Sequence, residues 1–178
     1  MKSAFPWWGI VAMAVVVGVS NYLVQFPIND WLVWGAITYP LAFLVNDLVN
    51  RLHGAQTARK VVYAGFAVGV ALSLTVESIE TRIALASGTA FLLAQLLDVA
   101  IFSRFRKGRW WVAPSISSGI SSVADTLLFF SIAFAGSGLP WQQWAAGDLA
   151  VKWAVAAVSV VVYGIVAKRM LQGHHQQA

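Results

Sequence analysis

The chain has 178 residues, 59% of them hydrophobic and only 11% charged, with a formal net charge of +5 and no cysteine. Soluble domains carry about 25% charged residues, so this composition and a mean hydropathy of +0.71 describe an integral membrane protein. They exclude disulfide frameworks and thiol chemistry, and the length leaves no room for a nucleotide-binding cassette beside a bundle of about six ~20-residue helices.

The first span is expected from Phe5 to Val24, closed by Pro27. No cleavable leader is expected, because the run from Trp7 to Val19 leads into Ser20-Asn21-Tyr22-Leu23 rather than a small-x-small site. Asn21 and Gln25 are four apart and share a helix face. They either hydrogen-bond a ligand or cap the helix in the headgroup region. The second span, Trp31 to Leu52, contains Tyr39, Pro40, Asn46, Asp47 and Arg51. Pro40 frees a backbone carbonyl in mid-span, which a cavity or neighbouring helix must satisfy. Asp47 and Arg51 are spaced to pair on one face, either as a site element or as an interfacial ion pair with Arg51 reaching to the headgroups.

A polar loop is expected from Gly54 to Lys60, then a third span from Val61 to Val76, in which Gly65 and Gly69 form a Gly-x-x-x-Gly contact surface. Glu77 and Glu80 lie in the next connection, as solvated charges or as part of an entrance. The fourth span, Ile83 to Phe102, carries Gln95 and Asp98 three apart on one face. The basic, aromatic run Ser103 to Trp111 fits an interfacial anchor on an anionic leaflet better than a nucleic-acid site.

The fifth span, Pro114 to Phe134, holds the deepest acid. Ser115, Ser118, Ser122 and Asp125 fall on one face at helical spacing, and Asp125 lies among apolar residues. About eleven residues in, it sits roughly 16 Å along the helix, near the bilayer midplane. An acid there costs about 2.5–3.5 kcal/mol on insertion scales and by default marks a ligand site or proton carrier. The sixth span runs from Asp148 to Ala167 after a loop from Gly136 to Gly147, with Lys152 near its start. His174 and His175 read as a solvated tail, and no metal or cofactor is expected.

With six spans, Lys2, Arg51, Arg59, Lys60, Arg104, Arg106, Lys107, Arg109, Lys168 and Arg169 fall on one side, and only Arg82 and Lys152 on the other. The positive-inside rule makes both termini cytoplasmic.

Asp47, Gln95, Asp98 and Asp125 thus come from three helices. Three intramembrane acids against Arg51 cannot all stay charged cheaply, so they share protons or await a donor-rich ligand. Aromatics such as Tyr39, Phe43, Phe129 and Phe130 suit the faces of a flat polar heterocycle. A carboxylate accepts the paired N–H donors of a guanine-like edge. Asp125 is also the candidate for proton coupling.

At these residues the chain resembles the queuosine precursor transporters of the vitamin uptake transporter group. The resemblance runs from about Ser20 to Leu171. It rests on Ser20-Asn21-Tyr22-Leu23-Val24-Gln25, Trp34-Gly35-Ala36 with Thr38-Tyr39-Pro40, Asp47 and Arg51, Gln95-Leu96-Leu97-Asp98-Val99, Arg109-Trp110-Trp111 with Ala113-Pro114, Asp125-Thr126 with Phe129, and Lys152 with Tyr163-Gly164. It implies an all-α, single-domain, six-helix inner-membrane importer of 7-cyano- or 7-aminomethyl-7-deazaguanine, with a fold like the substrate-binding subunits of energy-coupling-factor transporters. The implied site is Asp47, Gln95, Asp98 and Asp125, then Asn21, Gln25, Tyr39 and Phe129, with Arg51 and Lys152 as further choices. The implied partners are a small 7-deazaguanine and the bilayer, with no nucleic acid. A homo-oligomer and an energising module stay open, the module being required if the chain is such a substrate-binding subunit. An intramembrane enzyme is the remote alternative, and no His-Glu-x-x-His or Gly-x-Ser-x-Gly motif occurs to support it.

Overall fold

The computed structural model describes residues 6–23, 26–29, 32–75 and 81–175. Gln25, Glu77, Glu80 and the expected span ends at Phe5, Val24, Trp31 and Val76 lie outside them. The described chain is a helical bundle: α1 (Trp7–Leu23), a small antiparallel hairpin of β1 (Pro27–Asn29) and β2 (Leu32–Val33), α2 (Gly35–Thr38), α3 (Leu41–His53), α4 (Ala55–Thr75), α5 (Thr81–Phe105), α6 (Val112–Phe134) and α7 (Trp141–His175). Among the described residues, three helical segments are long and apolar enough to cross a membrane: Thr81–Phe105, Val112–Phe134 and Trp141–Met170.

The second expected span departs most from a continuous helix. Its start is the hairpin, and Pro40 splits the remainder into α2 and α3. Proline has no N–H to donate, and the chain crosses the break in tight turns, with Ala42 N bonding Tyr39 O and Phe43 N bonding Pro40 O. The expected loop from Gly54 to Lys60 is also absent. Gly54 ends α3 at φ 85°, a conformation glycine adopts without penalty, and α4 starts at the next residue. The last helix begins at Trp141, inside the loop expected from Gly136 to Gly147.

α3 occupies the middle, packed against α1, α4, α5 and α7, while α5 and α6 form the most extensive helix pair. One apolar core joins Met13 and Val17 of α1, Ala42, Val45 and Val49 of α3, Ala58, Val61 and Val62 of α4, and Phe91 of α5. Gly65 belongs to this α1–α4 seam. A Cβ there would meet Met13 Cγ at 2.5 Å and Phe91 Cζ at 3.3 Å. Overpacking of this kind costs about 1–3 kcal/mol, so Gly65→Val is expected to lower the thermal unfolding midpoint of the purified protein, and Gly119→Ala, with open space around it, is expected to leave it unchanged.

Polarity is arranged for an apolar solvent. Val11, Val15 and Val19 of α1, Leu85 and Leu93 of α5, Leu127 of α6 and Val158, Val161 and Ile165 of α7 are exposed, whereas Asn46, Asp47, Asn50, Gln95, Asp98 and Asp125 are buried. Large apolar patches outside and ionisable groups inside are the pattern of a membrane protein. The buried face of α6 is Pro114, Ser117, Ser118, Ser121, Ser122, Asp125 and Thr126. Ser115, expected on that face, is exposed instead.

Candidate functional site

The helices enclose an open cavity of about 710 Å³, within the usual range of roughly 300–1,000 Å³ for small-molecule sites. It lies at the end of the bundle where α1, α4 and α6 finish and α5 and α7 begin. Ile28, Asn29 and Leu32 of the hairpin region line it, as do Asn21, Ser73, Ser87 and Tyr39. The aromatic wall is Phe129, Phe130 and Phe134 of α6 with Trp144 of α7. These rings meet edge to face: Phe129 and Phe130 at 5.1 Å and 86°, Phe134 and Trp144 at 5.6 Å and 90°. The break at Pro40 places Tyr39 in the cavity rather than inside a continuous helix.

The charged groups of the cavity form one network. Lys152 Nζ lies 2.7 Å from Asp125 Oδ2 and also contacts Asp148 Oδ2. The Tyr39 hydroxyl donates to Asp125 Oδ1 at 3.0 Å. Thr126 Oγ1 donates to Asp148 at 2.7 Å and lies 3.0 Å from Lys152 Nζ. Lys152 also sits 5.7 Å from the centre of the Tyr39 ring, where a cation is attracted to the π face. Asp125 therefore has one donor on each oxygen. A carboxylate offers about four lone-pair positions, so each oxygen keeps room for one more donor from a ligand.

The expected site residues divide into two groups. Asp125, Tyr39, Phe129 and Asn21 line the cavity; the Asn21 amide nitrogen donates to Val17 O at 2.9 Å. Asp47, Gln95 and Asp98 lie away from it, in a buried layer between α3, α5 and α6. There Asp47 accepts from Ser117 at 3.2 Å and Ser118 at 3.3 Å, and Asn46 Nδ2 donates to Asp98 Oδ2 at 3.2 Å. The expected Asp47–Arg51 pair does not form: Asp47 faces the α6 serines, and Arg51 and Arg106 each bond the other's backbone carbonyl. Asp148, expected only as the start of the sixth span, is a cavity residue. Its signal was the i,i+4 spacing to Lys152.

A sequence profile described as "Putative vitamin uptake transporter" matches residues 33–166. The chain belongs to this family. A "Queuosine precursor transporter" of Escherichia coli strain K12 is 32% identical over 197 residues, covering 95% of this chain and 89% of the relative. A "Probable queuosine precursor transporter" of Haemophilus influenzae is also 32% identical, covering 88% of this chain and 84% of the relative. One of the same description from Bacillus subtilis is 26% identical, covering 94% of this chain and 84% of the relative. No solved structure matches. Family membership makes this chain a membrane transporter and not an enzyme.

Proposed function

We propose that this transporter imports 7-deazaguanine precursors of queuosine, the 7-cyano or 7-aminomethyl base, across the bacterial inner membrane by alternating access. In this reading the chain is one domain that crosses the membrane six times, with α2 and α3 together making the second crossing and both termini in the cytoplasm. Its fold is then of the kind found in the substrate-binding subunits of energy-coupling-factor transporters. The cavity faces outward, because the basic ends of the helices lie at the opposite end of the bundle.

One observation carries the reading: Asp125 presents both carboxylate oxygens, each with one internal donor, beside an aromatic wall. Adjacent N–H groups on a guanine-like edge match the two remaining acceptor positions, and the ring faces match Phe129 and Phe130. The relatives are described as queuosine precursor transporters, and that description supports the reading. Asp125 holds the donor edge, Tyr39 and Lys152 aim its carboxylate, and Asn21 bounds the outer side. Asp47, Gln95 and Asp98 close the path beneath the cavity in the outward-facing state and meet the substrate only after the bundle reopens inward.

The test is binding to the purified full-length protein. Addition of 7-cyano-7-deazaguanine is expected to raise the thermal unfolding midpoint, and adenine, which lacks the paired N–H edge, is expected not to. Equal stabilisation by both would contradict recognition by Asp125. Tyr39→Phe removes one hydrogen bond to a charged acceptor, worth about 1.5–3 kcal/mol, and leaves the ring in place. It is expected to weaken binding by roughly tenfold or more, measured by titration calorimetry.

A further inference from the structure

The buried layer between α3, α5 and α6 is separate from the cavity. Asp47, with its two serine donors, and Asp98, held by Asn46, share this layer, each almost fully buried. Among the described residues neither acid has a cationic partner. The ion pairs there are those of Lys152, and Arg51 and Arg106 are committed to each other's carbonyls. The charged or titratable groups facing the layer are those two arginines and Tyr163 of α7. α6 offers it serines. α1 and α4 meet the other, apolar face of α3 at Ala42, Val45 and Val49.

A second feature is a group of buried polar atoms left without partners. Asn46, Gln95 and Asp98 are fully buried, yet Asn46 Oδ1, Asp98 Oδ1 and both amide atoms of Gln95 have no hydrogen-bond partner. The Asn46 amide is held against Asp98 through Nδ2, which keeps its oxygen in the same layer. Ser121 and Ser122 are also buried without a partner. They follow Ser117 and Ser118 by one helical turn and lead to Asp125 at the next. Buried polar groups without partners are rare, and a buried carboxyl with no cation beside it is costly unless a proton neutralises it.

We propose that the Asp47–Asp98 layer is a proton-binding site, distinct from the substrate cavity, through which import is coupled to proton entry. The coupling rests on the transport reading above; the proton site does not. A proton enters from the cavity along Ser122 and Ser121, is held by one of the two carboxyls of the layer, and leaves on the inner side when the bundle reopens there. Asp125, the proton carrier expected from the sequence, already has Lys152 as its cation and serves the substrate instead.

Infrared spectroscopy of the purified full-length protein reads the site without any substrate. The wild type is expected to show the C=O stretch of a protonated carboxylic acid at neutral pH. Asp98→Asn and Asp47→Asn are expected to remove it, Asp98→Glu to restore it, and Asp125→Asn to leave it. Absence of the band from the wild type, its survival in both Asn variants, or its loss on adding sodium chloride would overturn the proposal; the last would make the layer a sodium site. In proteoliposomes, one coupled proton supports about tenfold accumulation of 7-cyano-7-deazaguanine per pH unit of inward gradient, and Asp98→Asn is expected to abolish that response. A wild-type band with uptake that ignores the gradient would overturn the coupling. A band with no uptake of any 7-deazaguanine would instead remove the substrate reading and leave the proton site standing.

Discussion

Lys152→Met is expected to destabilise the protein by about 3–5 kcal/mol, the usual cost of breaking a buried ion pair from one side. The substitution leaves Asp125 and Asp148 facing each other with no cation, although both were held by the same ammonium group. Lys152 and Asp125 are almost fully buried, at 4% and 3% exposure, so bulk water screens the remaining repulsion poorly. The packing is not what is lost, since methionine keeps most of the stem. Adding Asp125→Asn to Lys152→Met is expected to recover much of the loss, because a neutral amide then replaces the orphaned carboxylate. Thermal unfolding of the three variants in detergent reads this directly. A single variant as stable as the wild type would mean that the network does not hold α6 to α7.

Asp125→Asn is expected to lower uptake of labelled 7-cyano-7-deazaguanine by at least about 100-fold, from the loss of two charge-assisted hydrogen bonds worth about 1.5–3 kcal/mol each. Asparagine keeps the size of the side chain but offers one acceptor and one donor, so its donor opposes an N–H of the ligand. The stability effect of this change is expected to be smaller than that of Lys152→Met, since Lys152 keeps Asp148 as its partner. Uptake and unfolding therefore separate the two roles. In the proposed reading Asp125 is mainly a ligand group, and Lys152 mainly a counter-ion that orients it.

Asp125 was legible in the sequence because an acid deep in an apolar run has few explanations other than a site. The aromatic wall was legible for a related reason: Phe129 and Phe130 follow Asp125 by one turn. Depth across different helices was not legible. Helical spacing put Gln95 and Asp98 on one face and Asp47 on another, but it does not say which face looks into the cavity and which into a closed layer. Asp47 paired with the α6 serines rather than Arg51, because a partner on a neighbouring helix competes equally with one four residues along. Helix starts were read late for a physical reason. Hydropathy marks where a helix turns apolar, whereas α4 and α7 begin at Ala55 and Trp141, in polar stretches directly after Gly54 and Pro140. The hairpin from Pro27 to Val33 was hidden because its apolar residues continue the hydrophobic run that leads into α2.

In the proposed mechanism this chain alone brings a 7-deazaguanine into the cell and reads it with Asp125. The most direct measurement is queuosine in the tRNA of bacteria that neither synthesise the precursor nor carry their own importer, supplied with low concentrations of 7-cyano- or 7-aminomethyl-7-deazaguanine. Expression of this chain is expected to restore queuosine, and Asp125→Ala at equal membrane abundance is expected not to. Queuosine restored equally by both would contradict the assignment of the site, and no queuosine from a folded, membrane-inserted wild type would contradict import by this chain alone.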